Sequence, residues 1–441
     1  MSTESAKAFV QRMKTDGVFA RRVNACKDAQ ARAALVKAEG YELSSAELRD
    51  LEIKPEELDK IVGGLTPIQM PTAMPKKSGV LAILVIQCFL YSPCPSWAQA
   101  GGPRLALLKQ LPRPVLSIHS LGAEGNKYGF EAGQVIKLDK TYHLVITELF
   151  GDPYWVKTKL GHWASEDGIH WERVSTLFAS SGEFEGKDPR AALWAPAVAY
   201  DEKEGRWNLF YVAYRAQPNL LKKWRHLYEA RIWRAISRAK GIDGIDGPYD
   251  DAGVILEPGP DSDKWEGLQG VDSFFPYQVG DKWYGFYGSC NTEAWPTGPW
   301  RVGLASAPEL AGPWKRLSNL NPVEIQKPFI EVPVVTRLSD GTYLAVYDSE
   351  DLGSIGYTSS SDGVHWSHGN RLMVQPKGRG YWADGVRTPL CLIPDGKETY
   401  TLFYTGNEHV KSRFPGLVEP GDSAMGLVTV KLLRSGKSTA P

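Results

Sequence analysis

Residues 194–211 read WAPAVAYDEKEGRWNLFY, an apolar strand that leads through a polar turn into a strand of aromatic residues. The same order of strand, turn and aromatic strand recurs four more times within residues 101–441. The recurrences run over residues 131–145, 272–287, 331–347 and 387–404. A unit that returns at intervals of this kind is typical of a protein built from stacked or radial repeats.

A second element of the repeat follows the aromatic strand. Residues 165–171 read SEDGIHW and residues 360–366 read SSDGVHW, with Ser, Asp, Gly, His and Trp at the same places. Related corners occupy residues 237–249 and 306–314. Asp-Gly suits a tight turn because glycine accepts a positive φ without steric cost, and the Trp can pack between repeats. The motif therefore predicts structural corners, and we do not expect His170 and His365 to be catalytic.

Five such units predict an all-β, five-bladed β-propeller over residues 101–441. Each unit begins its first strand with an anchor residue, and successive anchors are separated by 63, 78, 59 and 56 residues. The anchors are Glu131, Trp194, Asp272, Glu331 and Arg387. Because innermost strands line the central channel of a propeller, residues at the same phase of the repeat should converge on one spot. Three carboxylates and an arginine there are costly to desolvate unless they serve a site.

Composition excludes several other classes of function. Lysine and arginine number 51, as do aspartate and glutamate, so the formal net charge is zero and no excess of positive charge favours nucleic-acid binding. The chain contains no Cys-x-x-Cys or His-Glu-x-x-His motif, and no glycine-rich nucleotide-binding motif follows a strand. We therefore predict neither a metal nor a cofactor. Two cysteines of the predicted propeller, Cys290 and Cys391, could pair or stay free.

The chain before the propeller divides into three predicted segments. Residues 1–64 have the apolar spacing of short helices and end in Gly63-Gly64. Residues 65–78 form a linker, and residues 79–100 resemble a signal peptide. The basic pair Lys76-Lys77, at the end of the linker, precedes a 12-residue apolar run, and Ala-Gln-Ala ends at residue 100, which predicts cleavage after Ala100. The apolar run is short for a membrane span, although an uncleaved anchor is the alternative.

A signal peptide inside a chain is unusual, since export signals act from the N-terminus. Translation that starts at Met74 would give an ordinary signal peptide, and a fusion of two reading frames is the other explanation. Either way, we expect a secreted or periplasmic mature protein that begins near Gly101 and has no stable membrane span. The oligomeric state is left open.

Carboxylates in a pocket the size of a sugar ring are the groups that cleave glycosidic bonds. One must be protonated to donate to the leaving oxygen, while another, ionised, activates water or attacks directly. A third acid nearby can raise the donor's pKa and hold it in place. Aromatic residues around the anchors suit the C–H faces of a sugar. The sequence therefore favours a carbohydrate substrate.

The propeller resembles family 43 glycoside hydrolases over residues 115–435. The resemblance is carried by Trp194-Ala195-Pro196, Val271-Asp272-Ser273, Glu331-Val332-Pro333 and the Gly-Pro-Trp at residues 312–314. It implies cleavage with inversion by Glu331 as general acid and Glu131 as base. It also implies that Asp272 adjusts and orients the acid, and that Trp194 forms a stacking wall or part of the blade core.

Two features of the resemblance leave alternatives. The family's first-blade base is an Asp, whereas this chain has Glu131, and Glu148, Asp152 and Asp384 are other candidates for the base. Arg387 would bind a hydroxyl or carboxylate of the substrate through its fork of donors, or form a salt bridge to one of the acids. Inversion predicts carboxyl groups of Glu131 and Glu331 roughly 6.5–9.5 Å apart.

Residues 1–64 resemble the Nif-type (nitrile-hydratase-like) leader peptides of ribosomally made natural products. Three functions follow from the sequence as a whole. The first is a glycosidase acting on arabinose-, xylose- or galactose-type linkages in plant or algal polysaccharide. The second is a propeller that binds glycans without cleaving them. The third, which takes the leader-like segment as primary, is a natural-product precursor or maturation fusion.

Overall fold

The computed structural model divides the chain into two compact units, Met1–Trp97 and Ala98–Pro441. It describes residues 9, 12, 19, 23, 29–41, 102–218, 227–291, 299–327, 329–349, 351, 353–374, 382–408 and 423–434. The predicted linker at 65–78 and the signal-like segment at 79–100 lie outside the described residues. No helix among the described residues is long and apolar enough to cross a bilayer.

The second unit is a five-bladed β-propeller, as the repeat predicts. Its strands are β1 (Arg104–Gln110), β2 (Phe130–Leu138), β3 (Thr141–Glu148), β4 (Lys159–Ser165), β5 (Glu172–Ala179), β6 (Ala192–Asp201), β7 (Arg206–Ala216), β8 (Leu227–Ser237), β9 (Tyr249–Leu256), β10 (Asp272–Val279), β11 (Lys282–Ser289), β12 (Arg301–Ala307), β13 (Lys315–Arg316), β14 (Glu331–Arg337), β15 (Tyr343–Asp348), β16 (Ser354–Ser360), β17 (Asn370–Met373), β18 (Gly385–Pro389), β19 (Ile393–Pro394), β20 (Thr399–Asn407) and β21 (Ser423–Leu433). A 3-10 helix, Ile242–Asp246, precedes β9.

Blades one to four are antiparallel sheets of four consecutive strands, β2–β5, β6–β9, β10–β13 and β14–β17. Blade five combines β18, β20 and β21 with β1, which pairs antiparallel with β21 from Arg104↔Leu433 to Gln110↔Val428. The two ends of the propeller thus meet in one sheet. The sequence did not predict this closure, because β1 contains no copy of the repeat motif.

Apolar side chains between neighbouring blades form the core. The middle strand β3 is almost wholly buried, whereas the outer strand β5 alternates exposed and half-buried residues, as expected of a strand with one face in water. The larger buried clusters each contain residues of neighbouring blades: Phe130 and Phe403 (blades one and five), Val145 and Leu209 (one and two), Phe210 and Phe274 (two and three), Phe286 and Tyr347 (three and four), and Leu344 and Leu402 (four and five). The rings of Phe210 and Phe274 lie 5.2 Å apart.

The Ser-x-Asp-Gly-x-His-Trp corners are structural. Trp171 of blade one packs edge-on against Phe403 of blade five, with ring centroids 5.6 Å apart, and Trp366 of blade four contacts Phe286 of blade three at 5.2 Å. His170 and His365 are 87% and 72% exposed and each contacts the Asp of its own corner. Each tryptophan therefore joins two blades, while the histidines lie on the surface.

Replacing Gly363 with Ala is expected to destabilise the propeller by about 2–4 kcal/mol. Gly363 has φ +76°, and a Cβ there would lie 2.6 Å from Val279 Cγ2, so backbone strain and overpacking add. Gly341→Ala is the matched control, because Gly341 has φ +88° but no atom within 4 Å of the added Cβ. It should cost about 1–2 kcal/mol, from strain alone. Urea unfolding of both variants measures the difference, and equal losses would show that the contact between blades contributes nothing.

The N-terminal unit contains the described helix α1 (Ala29–Ala38). Phe9, Phe19 and Tyr41 are buried together, with ring centroids 5.5–5.9 Å apart. The Arg12 guanidinium lies 4.1 Å from the centre of the Phe19 ring and pairs with Glu39 at 2.9 Å. An aromatic cluster capped by a cation–π contact thus gives this unit a small core of its own.

Candidate active site

All five anchor residues of the repeat line one pocket, which encloses about 600 Å³ when the solvent at its open side is included. The other residues that line it are Ala132, Trp155, Ala195, Tyr214, Leu227, Gln269, Ser273, Trp300, Val332 and Thr388. Glu131, Trp194, Asp272 and Glu331 lie in the innermost strands of blades one to four, and Arg387 lies in β18 of blade five. The convergence expected from the repeat phase is therefore present in the structure.

A β-bulge turns the anchors toward the channel. In every blade the register of the innermost strand slips next to its anchor, for example between Glu131 and Gly133 and between Glu331 and Val334. The residue after the anchor has a positive φ in four blades: Ala132 at 49°, Ala195 at 47°, Ser273 at 43° and Val332 at 47°. None is a glycine, so each conformation stores strain, most of all at the β-branched Val332. Strain repeated at one position of four blades marks the residues around the pocket.

Arg387 joins the acids of three strands. Its Nε and Nη2 donate to Glu131 Oε1 at 3.2 and 3.0 Å, and its Nη1 lies 3.3 Å from Asp348 Oδ2. Glu331 Oε2 is 3.7 Å from Nη2. Burial lowers the pKa of Arg387, but Asp348, Glu131 and Glu331 outweigh burial and leave that pKa well above its usual value. Of the two roles predicted for Arg387, the salt bridge is therefore the one that the structure contains.

The shared arginine limits the separation of the two glutamates. Since Nη2 lies 3.0 Å from Glu131 Oε1 and 3.7 Å from Glu331 Oε2, those two oxygens cannot be more than 6.7 Å apart. The limit lies at the short end of the range of roughly 6.5–9.5 Å for inverting enzymes, and it also admits the roughly 5–5.5 Å of retaining ones. Inversion stays a prediction.

Neighbouring residues of the pocket hold Asp272 in place. Its Oδ1 accepts a 2.8 Å hydrogen bond from the Ser273 amide, and its carboxylate is bonded to the Tyr214 hydroxyl. Burial and Asp272 raise the pKa of Tyr214 well above its ordinary value, so the phenol remains a donor. Gln269, also buried, contacts the same hydroxyl. Asp272 therefore has a fixed position, as an orienting residue requires.

Trp194 lines the pocket and also packs on the core between blades two and three. Its Nε1 donates to the carbonyl oxygen of Trp155 at 3.0 Å, which joins the walls of blades one and two. Trp194 is thus both pocket wall and blade core, the two roles that the sequence left open. Trp155 and Trp300 add aromatic surface that sequence analysis did not single out.

The alternative candidates for the base do not line this pocket. Glu148 is buried in a bidentate salt bridge to Arg173, at 3.0 and 2.9 Å, and accepts a hydrogen bond from Trp163. Asp152 is largely exposed and pairs with Lys127 and Tyr128. Asp384 is exposed before β18. Of the four acids considered for the first position, Glu131 is the one that lines the pocket.

Asp348 is the acid that sequence analysis missed. It ends the aromatic strand of blade four, directly opposite Glu331 in the β14–β15 ladder, and is 2% exposed. Asp348 is opposite Glu331 because of the bulge between Glu331 and Val334, and no glycine marks that bulge in the sequence. The sequence does show an acid at the end of an aromatic strand. That position alone did not indicate a site residue, because the pairing of the two strands was not known.

Comparisons with known proteins agree with this architecture. Residues 1–48 match the model of the Nif11 domain, within the segment that resembled a leader peptide. A search of curated proteins found no match to the chain. A solved structure described as a glycoside hydrolase is 14% identical and covers 75% of this chain and 94% of its own length, with a TM-score of 0.53.

Two further solved structures have named sources. A family 117 glycoside hydrolase from the marine bacterium Zobellia galactanivorans is 15% identical, covers 75% of this chain and 90% of its own length, and has a TM-score of 0.49. An alpha-L-arabinofuranosidase from Lactobacillus brevis is 14% identical, covers 68% of this chain and 90% of its own length, and has a TM-score of 0.47. At identities this low, the similarity to these structures shows the fold alone. The chain therefore has the five-bladed propeller fold found in glycoside hydrolases, and its first 48 residues match the Nif11 domain.

Proposed function

We propose that the propeller hydrolyses O-glycosidic bonds in plant- or algal-type oligo- or polysaccharides. The observation that carries the proposal is the convergence of Glu131, Asp272 and Glu331 in one tryptophan-lined pocket. Carboxylates held close to one another beside aromatic walls supply the acid, the base and the sugar-binding surface that glycoside cleavage needs. The propeller fold shared with glycoside hydrolases supports the same function.

Glu131 and Glu331 differ in a way that suits opposite roles. Arg387 donates two hydrogen bonds to Glu131, which hold its carboxylate in one position in the pocket, as a base requires. Glu331 Oε2 lies 3.7 Å from Nη2 of the same arginine, which is longer than a hydrogen bond. A sugar that displaces water from the pocket would favour the neutral form of an acid beside it, because desolvation disfavours the charged form. A neutral Glu331 can donate its proton to the leaving oxygen.

Asp272 would position the acid or the sugar without taking a proton itself. Its bonds to Tyr214 and to the Ser273 amide hold its carboxylate in place beside the acid–base pair. Arg387, already engaged by three carboxylates, serves to arrange those acids. We propose inversion, with a water molecule activated by Glu131 on the face of the sugar away from Glu331. Proton NMR of the first-formed anomer tests the stereochemistry, and a retained configuration would overturn it.

The test of the function is turnover by the full chain on a panel of aryl pentosides, aryl hexosides and plant and algal oligosaccharides. Release of sugar from one class supports the proposal and names the glycone. Glycan-array binding with the same protein is the second measurement. Binding to a glycan that is never cleaved would favour the non-catalytic propeller and overturn the proposal.

We also propose that the propeller is exported. The support is the order of Lys76-Lys77, the apolar run and Ala-Gln-Ala at residues 98–100. We expect the mature protein in the periplasmic or extracellular fraction, with Gly101 as its first residue by N-terminal sequencing. An N-terminus at Leu65, directly after Gly63-Gly64, would instead show processing as a leader peptide and support the precursor or maturation function.

A further inference from the structure

A cluster of two histidines and an aspartate lies away from the pocket, where blades one and two meet. His143 of β3 and His162 of β4 are diagonal neighbours, since His143 is paired with Ala164 and Val145 with His162. Side chains in this relation share one face of an antiparallel sheet. Asp246, the last residue of the 3-10 helix of blade two, reaches the same point. Three possible ligands thus come from two blades.

The cluster is distant from the candidate active site. Ile136 is the partner of His143 in the β2–β3 ladder, whereas Glu131 is paired with Thr147 near the other end of the same strands. Five residues of extended chain separate these positions, which is roughly 16 Å. An ion bound by the cluster would therefore lie outside the candidate active site.

The side-chain nitrogen and oxygen atoms of the three residues lie near one another. His143 Nδ1 is 3.2 Å from His162 Nε2, and Asp246 Oδ1 is 4.0 Å from His143 Nδ1 and 3.7 Å from His162 Nδ1. Ligand atoms at 2.0–2.1 Å from a tetrahedral zinc ion are about 3.4 Å apart. An imidazole gives a metal ion one nitrogen, and with one atom taken from each residue the three ligand atoms lie within 4.8 Å of one another. Side-chain rotations that close the gaps by at most about 1.4 Å would bring them to the spacing of a zinc site.

His162 supplies an independent reason to expect a ligand. Its side chain is fully buried, and its Nδ1 has no hydrogen-bond partner among the described residues although it faces Asp246. A buried nitrogen that lacks a partner is costly, and such groups in native proteins require an explanation.

We propose that His143, His162 and Asp246 bind a divalent transition-metal ion, zinc by ligand type, that links blade one to blade two. Two imidazoles and a carboxylate are a ligand set that zinc accepts. Asp246 is half exposed, so water can complete the coordination from the solvent side. Because the ion joins strands of one blade to the connecting helix of the next, its role is structural.

The experiment uses the full chain after removal of metals with a chelator. Zinc is titrated by calorimetry, and cobalt(II) is added in parallel because its visible absorption reports tetrahedral coordination. We expect one site of this kind, a rise in Tm on metal addition, and cobalt bands of tetrahedral type. Asp246→Asn, which changes an exposed side chain, and His143→Gln should each weaken zinc binding at least tenfold and remove the cobalt bands.

His170→Ala is the matched control, because His170 forms an exposed His–Asp pair with Asp167 that could bind zinc weakly by itself. Loss of binding in Asp246→Asn and His143→Gln but not in His170→Ala supports the site. Three results would overturn it: no zinc binding by the wild-type chain, unchanged binding in both ligand variants, or binding that disappears in His170→Ala. Circular dichroism of each variant separates lost binding from lost folding.

Discussion

Replacing Glu331 with Gln is expected to lower kcat/KM for an unactivated glycoside by about 10²–10⁴-fold, the usual contribution of general acid catalysis. Glutamine keeps the size of the side chain but cannot donate the proton that the leaving oxygen needs. The structure puts Glu331 in the pocket with Glu131 and Asp272, and its carboxylate lies 3.7 Å from Arg387. The measurement is steady-state hydrolysis of the substrate identified by the panel, with wild type and variant at equal concentration.

The nature of the leaving group distinguishes the loss of an acid from other damage. A dinitrophenyl glycoside departs with little protonation, so the same variant should hydrolyse it at a rate much closer to that of the wild type. Glu309→Gln is the matched control, since Glu309 is 60% exposed and its partner in an ion pair is Lys203. A variant equally slow on both substrates would assign Glu331 another role, and a variant as fast as the wild type on the unactivated glycoside would remove it from the mechanism.

The repeat explains how much of the site could be predicted. Glu131, Trp194, Asp272, Glu331 and Arg387 occupy equivalent phases of five units, and equivalent phases converge because the blades are arranged radially. The geometry of a propeller turns a one-dimensional spacing into a three-dimensional cluster. The fold and the five anchor residues of the pocket therefore followed from the sequence, whereas the catalytic roles depend on the kinetic tests.

Other features could not be predicted, because they depend on pairing and strain. Nothing in Ala132 or Val332 indicates a positive φ, since such residues rarely adopt one. Asp348 reaches Arg387 only because the bulged ladder puts it opposite Glu331. The closing strand β1 lacks the repeat motif, and its place follows from the hydrogen bonds it makes with β21.

The cluster of His143, His162 and Asp246 could not be predicted from the sequence for a related reason. Metal motifs recognised from sequence are short and local, as in His-Glu-x-x-His, and their absence led to the prediction of no metal. His143 and His162 lie on neighbouring strands, and Asp246 belongs to the next blade. A ligand set assembled across two blades has no sequence spacing to recognise.

Arg387→Met is expected to lower the free energy of unfolding by about 3–5 kcal/mol at neutral pH, because it leaves three mostly buried carboxylates without their cation. The side chains of Glu131, Glu331 and Asp348 are 11%, 13% and 2% exposed, so water cannot fully replace the arginine. Methionine retains most of the packing of the long side chain. Urea unfolding at pH 7.5 gives the size of the loss, and a loss below about 1 kcal/mol would show that the arginine is not essential for compensating the acids.

The pH dependence follows from the charges. The pKa of Arg387 is raised above its unfolded value, so its stabilising charge is present at every pH below that unfolded value and is lost only in strong alkali. The histidines are the same in the wild type and the variant, so a change with pH in the gap between their stabilities must come from the three acids. In the variant the mutual repulsion of the acids favours proton uptake, so the gap to the wild type should narrow as the pH falls toward 4. The double variant Arg387→Met, Glu131→Gln removes one of the repelling charges and should recover part of the loss at pH 7.5 without acidification. A gap that stays constant with pH, together with no recovery in the double variant, would mean that Arg387 stabilises the channel by packing and not by its charge.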